Sequence, residues 1–175
     1  GQAGTDGVMP AEWPAGSRFV LLDGTPRQIA VSAADRGLAR HYRVGPAALG
    51  HDDPVYVHEV HAFDGAGLRP YAPAHLRAEE VADGTVLARW IRRTRIDGDS
   101  WEGWEVPLGE EREAYLVRVR AGGVTVREAT VSTPEWSYAA AERAADGIAG
   151  AWEIAVAQVS DRYGPGPFTR REMNG

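Results

Sequence analysis

The stretch Ala151–Pro167, AWEIAVAQVSDRYGPGP, sets the narrowest limits on what this chain can fold into. Trp152, Ile154 and Val156 alternate with Glu153 and Ala155, so a strand through them carries one large apolar face. The run stops at Ser160-Asp161 and then at Tyr163-Gly164-Pro165-Gly166-Pro167. There glycine opens φ and proline fixes it, so ladder pairing ends. A long buried strand leaving through such a turn needs earlier strands to pack against. Two show the same period: Val86, Ala88 and Trp90 in TVLARW, and Tyr115, Val117 and Val119 in EAYLVRV. The alternation predicts a β-sandwich with those side chains inside.

The rest of the chain reads as β structure too. Gly1–Gly7 is a flexible lead-in by composition. Arg18–Leu22 and Gln28–Val31 flank the turn residues Asp23-Gly24-Thr25-Pro26, which predicts a hairpin. Arg40–Val44 and Val55–Val60 read as a third and a fourth strand. No helix of ordinary length fits this half, so residues 1–71 are expected to be a small β domain. Two prolines spaced by three in LRPYAPA favour extended backbone and a stiff linker. The boundary is therefore set there, with residues 72–173 as the sandwich, opened by a strand at His75–Ala78. Gly122-Gly123 predicts a tight turn between the third and fourth sandwich strands. Ser137–Ala145 is alanine-rich, so a strand is expected to end near Tyr138, with one or two helical turns after it. Asp146-Gly147 stops them. Arg127 and Glu128 place charge on a sandwich edge, as exposed sheet edges require.

Composition closes off several function classes. The net charge is −6, and all 19 basic residues are arginine. An acidic chain lacks the basic face of a dedicated nucleic-acid binder. Cysteine is absent, which excludes disulfides and thiolate metal sites. No charged-then-apolar leader opens the chain, and no apolar run approaches the about 18 residues of a membrane span.

Candidate chemical sites are few. His51, Asp52 and Asp53, with His58 and His61 nearby, are the nearest thing to a metal constellation. Zinc needs three or four converging ligands, yet His58 and His61, three apart on a strand, point to opposite faces. A solvated loop is the reading adopted, with no metal and no cofactor. Asp97, Asp99 and Glu102 in RIDGDSWE imitate the start of a calcium loop but lack its remaining ligands; a polar turn fits better. No nucleophile elbow, Ser/His/Asp signature or phosphate-cradling glycine loop is present, so no catalytic residue is assigned and the chain reads as a non-enzyme. Arg89, Arg92, Arg93 and Arg95 face Glu110, Glu111 and Glu113 in sequence and predict a solvated ladder of weak pairs. Trp101 and Trp104 stand in the long connection before Tyr115, amid acidic residues. Two readings of them stay open. They stack on a sugar or anchor a protein interface, or they fold back and cap the sandwich.

The three alternating strands resemble a fibronectin type III domain. Its second strand carries apolar-x-apolar-x-Trp (Val86, Ala88, Trp90), and its third Tyr-x-Val-x-apolar (Tyr115, Val117, Val119). Its sixth strand reads aromatic-x-apolar-x-Val before a Gly-x-Gly turn (Trp152, Ile154, Val156, Gly164, Gly166). The connection from Trp90 to Tyr115 is longer than usual, and the turn before Gly164 is about one residue longer. A wider resemblance runs through VMPAEWPAGSRFVLLDGTPRQIAV, RGLARHYRVGPA, GLRPYAPAHLRA, WIRRTRIDGDSW, EVPLGEEREAYLVRV and AVAQVSDRYGPGPF. These phrases look like the C-terminal end of the large tail-tip baseplate hub ("megatron") proteins of gene transfer agents and related siphophage tails. In that family a TIM-barrel-like region and several β domains precede this end, so the resemblance implies a C-terminal piece of a longer protein. It further implies a place at the tail tip of a phage-like particle. The expected partners are other tail or baseplate proteins, a host surface glycan or protein, and other copies in a homo-oligomer such as a trimer.

Two functions compete on these grounds. One is a structural and interaction module of a phage-like tail tip, serving assembly or host recognition. The other is a carbohydrate-binding accessory module of a glycan- or wall-active enzyme. The fold hosts both. An exposed, coplanar Trp101 and Trp104 is what the second requires.

Overall fold

A computed structural model describes residues 9–21, 23–96 and 106–174. The chain divides into two units, one spanning Pro10–Ala66 and a larger one from Gly67 onward.

The smaller unit is organised by one antiparallel ribbon, β1 (Ala39–Val44) with β2 (Val57–Ala62). β2 begins two residues later than the apolar run suggests, because a turn holds the residues before it. Asp53 Oδ1 accepts from the Val55 amide at 2.9 Å, and the Asp53 carbonyl accepts from the Tyr56 amide at 3.0 Å. The hairpin expected at 18–22 and 28–31 does not form: residues 18–21 and 28–31 are unpaired coil, and Leu22 lies outside the described residues. Asp23 Oδ1 instead closes a local turn on the Thr25 amide at 2.9 Å, and Pro26 offers no N–H to a ladder. An apolar run becomes a strand only where a neighbour covers its face, and among the described residues of this unit these have none.

The larger unit is the sandwich. One sheet is β3 (Ala74–Glu80), β4 (Val86–Ile91) and β7 (Glu135–Tyr138) in the order β3-β4-β7. The facing sheet is ordered β10-β8-β5-β6, from β5 (Tyr115–Ala121), β6 (Val124–Val131), β8 (Trp152–Ser160) and β10 (Thr169–Met173). A two-residue β9 (Gly164–Pro165) pairs with the end of β8. All strand pairs are antiparallel. Val86, Ala88, Trp90, Tyr115, Val117, Val119, Trp152, Ile154 and Val156 are buried in a single core. That is the alternation expected of a half-buried sheet. Gly122 and Gly123, at φ 57° and 81°, make the β5–β6 turn. Two successive positive φ values suit the twist of the flanking strands, and only glycine takes them without strain.

β8 departs from simple alternation because Ala155 and Ala157, on its outward side, are buried as well. Arg118 stands opposite Ala155 in the ladder, and its guanidinium lies 4.7 Å over the Phe168 ring. Long arginine stems roof the small alanines while keeping their charge wet. The LRPYAPA stretch is not a free spacer. Pro70 and Pro73 are buried, and the Pro73 carbonyl accepts from Thr169 Oγ1 of β10.

Helix α1 (Ala140–Ala145) follows Tyr138 directly. One network ties it to the sandwich. Asp146 accepts from Tyr138 Oη at 2.5 Å and from Arg127 Nε at 2.6 Å, while Arg127 Nη1 reaches Glu142 at 2.9 Å. Glu142 in turn accepts from the Ala139 amide at 3.1 Å and caps the helix. Burial first, then the bond to Asp146, pushes the Tyr138 phenol up to about 12. Hydrogen bonds from Arg127 and then Tyr138 hold the Asp146 carboxyl below its ordinary 3.8. The folded value lies below the unfolded one, so the carboxylate's contribution is present above pH 3.8 and is lost as pH falls through the folded value. Asp146→Asn should therefore lower Tm by several degrees at neutral pH, and the gap to wild type should close in acid. A gap that stays constant down to full protonation would show that the charge does not stabilise α1.

Candidate functional site

The long connection between β4 and β5 leaves the sandwich on a braced stem. Arg92, just after β4, donates from Nη1 to the Pro107 carbonyl and from Nη2 to the Val106 carbonyl, each at 2.9 Å. Such a fork ties the outgoing strand to the returning one with two charge-assisted bonds. Arg95 donates to Glu110 Oε1 at 2.7 and 3.1 Å. The Glu110 side chain is only 4% exposed, so this pair is largely dry and removing either partner would strand a buried charge. Gly109 follows the same logic of closeness. A Cβ there would sit 3.0 Å from Thr94 Oγ1 on the opposite limb.

The turn after β8 braces the stem from the side. The Arg95 guanidinium lies 5.7 Å over the Tyr163 ring, within the range of a cation–π contact. Arg112 grips both oxygens of Asp161 at 2.9–3.0 Å, and Ser160 Oγ donates to Glu111 at 3.2 Å. The Arg112 hydrogen bonds hold the Asp161 carboxyl below its usual range. Ser160 Oγ also accepts from the amides of Arg162 and Tyr163, both at 3.3 Å, which shapes the start of the Gly-Pro turn. Between them, these contacts hold two loops together at one end of the sandwich.

The expected arginine–glutamate ladder is absent in that form. Among the described residues only Arg95–Glu110 pairs as anticipated, and it is mostly buried where a solvated pair was expected. Arg92 serves backbone carbonyls, Arg93 lies 5.0 Å over the Tyr71 ring, and Arg89 sits 3.6 Å from Glu135. Glu113 accepts from Tyr115 Oη at 2.7 Å. Sequence adjacency failed here because strand ends and turns, not linear spacing, decide which side chains meet. Trp101 and Trp104 lie outside the described residues, as do Asp97, Asp99 and Glu102; the stem described above flanks them on both sides.

In the smaller unit the candidate histidine group is dispersed. His58 and His61 do lie on opposite faces of β2, as alternation requires. Asp53 is engaged with the Val55 amide, Asp52 is 3.7 Å from Arg43, and His51 packs 5.8 Å from the Tyr56 ring. Strand pairing instead brings His41 to His58, with His41 Nδ1 2.9 Å from His58 Nε2. That contact spans 17 residues and leaves no signal in local sequence. Among the described residues, no group of three or more histidine, aspartate or glutamate side chains converges as a metal site would.

These two units define a small N-terminal β domain followed by a fibronectin type III-like β-sandwich. No protein-family model and no curated protein matches the chain. Among solved structures it is similar to domains d3–d4 of the rat CD45 extracellular region, at 10% identity and TM-score 0.46, covering 95% of this chain and 80% of that one. It is also similar to FN3tt mut, at 14% identity and TM-score 0.40, covering 59% and 92% respectively. For domains A168–A170 of titin the values are 12% identity and TM-score 0.39, covering 68% of this chain and 36% of that one. Among the described residues no helix is long and apolar enough to cross a membrane.

Proposed function

We propose that the chain is a non-catalytic assembly and interaction module of a phage-like tail tip, of the kind the baseplate hub proteins of gene transfer agents provide. The observation that carries this reading is the state of the smaller unit. Gly65 is the one buried residue among its described positions. Phe19, Ile29, Val44, Val57 and Val60 are 88%, 65%, 59%, 56% and 48% exposed. A lone two-stranded ribbon is marginal in water, and apolar side chains on both of its faces gain free energy only when something covers them. Within its own unit nothing does. A neighbouring tail protein, or another copy of the same chain, supplies that cover on this reading. The resemblance of the sequence phrases to the hub family points the same way.

Val57 and Val60 lie on opposite faces of β2, so Val57→Asp with Val60→Asp burdens both. The expected result is an unchanged melting temperature for the sandwich, together with loss of incorporation into particles. Particles that assemble and adsorb to cells as before would sink the proposal. An isolated chain that binds glycans through its long loop, with no effect of these substitutions, would favour the carbohydrate-binding alternative.

A further inference from the structure

The outward face of the β3-β4-β7 sheet carries a feature that neither the fold nor the assembly reading requires. Arg77 and Arg89 stand directly opposite each other across β3 and β4. Like charges directly opposed on a sheet destabilise it, so the sheet tolerates this pair against its own interest. Six other arginines of the unit are matched to acids: Arg95, Arg112, Arg118, Arg120, Arg127 and Arg143 all have carboxylate partners within 2.9 Å. Among the described residues Arg77 has no ion pair. Arg89 has only Glu135 at 3.6 Å, longer than a hydrogen bond, with both side chains more than three-fifths exposed at 70% and 63%.

The surroundings form a shallow cleft, lined by His75, Arg77, Arg89, Trp90 and Ile91. A bulge builds one end of it: the register passes from Ala74–Ile91 to Arg77–Arg89, so β3 spends one more residue than β4. His75 sits in that bulge at φ 52°, a conformation that side chains other than glycine rarely take. Bulges turn side chains out of register and onto new targets. Here the bulge adds an imidazole to the end of the cleft where the two guanidinia lie. Ile91, 57% exposed, gives the cleft an apolar flank. Glu79 lies on the same outward face but opposite Leu87, at the far end from the cleft.

We propose that this cleft is an anion-binding site, in which Arg77 and Arg89 together take one carboxylate or phosphate group of a ligand. Guanidinium forks match planar and tetrahedral oxyanions with paired N–H···O bonds. An anion between them turns their mutual repulsion into a shared attraction. His75 supplies a further N–H at the cleft end, and Ile91 packs against the apolar part of the ligand beside its charged group. The site shares no residue with the braced loops.

The test titrates the full chain with inorganic phosphate and, separately, with D-glucuronate, following the arginine Nε–H signals by NMR. The expected result is saturable binding of at least one probe. Arg77→Ser and Arg89→Ser should each weaken it about tenfold or more, the worth of one charge-assisted pair. Arg170→Ser, an exposed arginine of the other sheet, should leave it unchanged. Because Arg77→Ser removes a repulsion, it should not lower Tm, which separates lost binding from lost folding. Binding of phosphate alone assigns the site to phosphoryl groups, and binding of glucuronate alone assigns it to carboxylated sugars. Failure of both probes to saturate, or equal weakening by Arg170→Ser, would overturn the proposal.

Discussion

Trp90→Ala is expected to destabilise the sandwich by about 3–5 kcal/mol, the range for emptying a large aromatic site in a packed core. Trp90 is 5% exposed, and its ring meets Tyr115 edge-on at 5.2 Å and 72°. The same core holds Trp152 against Tyr138 at 5.7 Å, and Tyr138 stacks on Trp136 at 5.2 Å. These rings form the middle of the domain, where no neighbour can collapse into a void of that size. Domains of this size have about 5–15 kcal/mol in hand, so the variant should unfold at a much lower urea concentration, if it folds at all. Trp90→Phe is the informative companion. Among the described residues the buried Trp90 Nε1 has no hydrogen-bond partner of good geometry, a state that itself costs about 1–3 kcal/mol. Phenylalanine keeps most of the ring and drops the stranded N–H, so its cost should be well under half that of alanine. Equal losses for the two variants would show that ring volume is not what Trp90 contributes.

Gly166→Ala is the second large effect expected, and its cause is closeness rather than backbone freedom. A Cβ on Gly166 would stand 2.2 Å from the Pro70 carbonyl oxygen and 3.0 Å from the Pro70 carbonyl carbon. Pro70 is buried, and the Gly166 amide donates to the Gln158 carbonyl at 2.9 Å. Neither backbone can retreat without breaking something. Overpacking of this kind costs about 1–3 kcal/mol and occasionally more, and a clash with backbone belongs at the upper end. The strain should also reach the braced loops, since the same turn carries Tyr163 against Arg95. Amide exchange around Ser160–Gly166 should therefore speed up in Gly166→Ala. Gly122→Ala gives the contrast. It meets nothing within 4 Å and is strained only by its φ of 57°, so it should cost less and leave the Tyr163 region untouched. Wild-type stability in Gly166→Ala would mean that Pro70 moves freely.

The core strands were legible because alternation is a local property. Val86-x-Ala88-x-Trp90, Tyr115-x-Val117-x-Val119 and Trp152-x-Ile154-x-Val156 each state which face is buried, whatever the partner. The Gly122-Gly123 turn and the short helix after Tyr138 were legible for the same reason, since φ preference and helix propensity act within a few residues. The apolar runs near Phe19 and Ile29 carried an equally good local signal and form no strands. A strand is completed by a neighbour, and among the described residues of this unit they have none.

What the chain by itself determined, then, is an all-β protein with a sandwich in its larger part, because side-chain period and turn chemistry are written residue by residue. Tertiary structure alone decided which charges meet. It drew Arg95 into a dry pair with Glu110, sent Arg92 to backbone carbonyls, and set Arg77 opposite Arg89 through a one-residue bulge in β3. It also gave Gly166, which reads as an ordinary turn glycine, its place against Pro70. These are contacts between residues far apart in sequence, and their energies depend on distances of a few ångströms that only the closed fold sets.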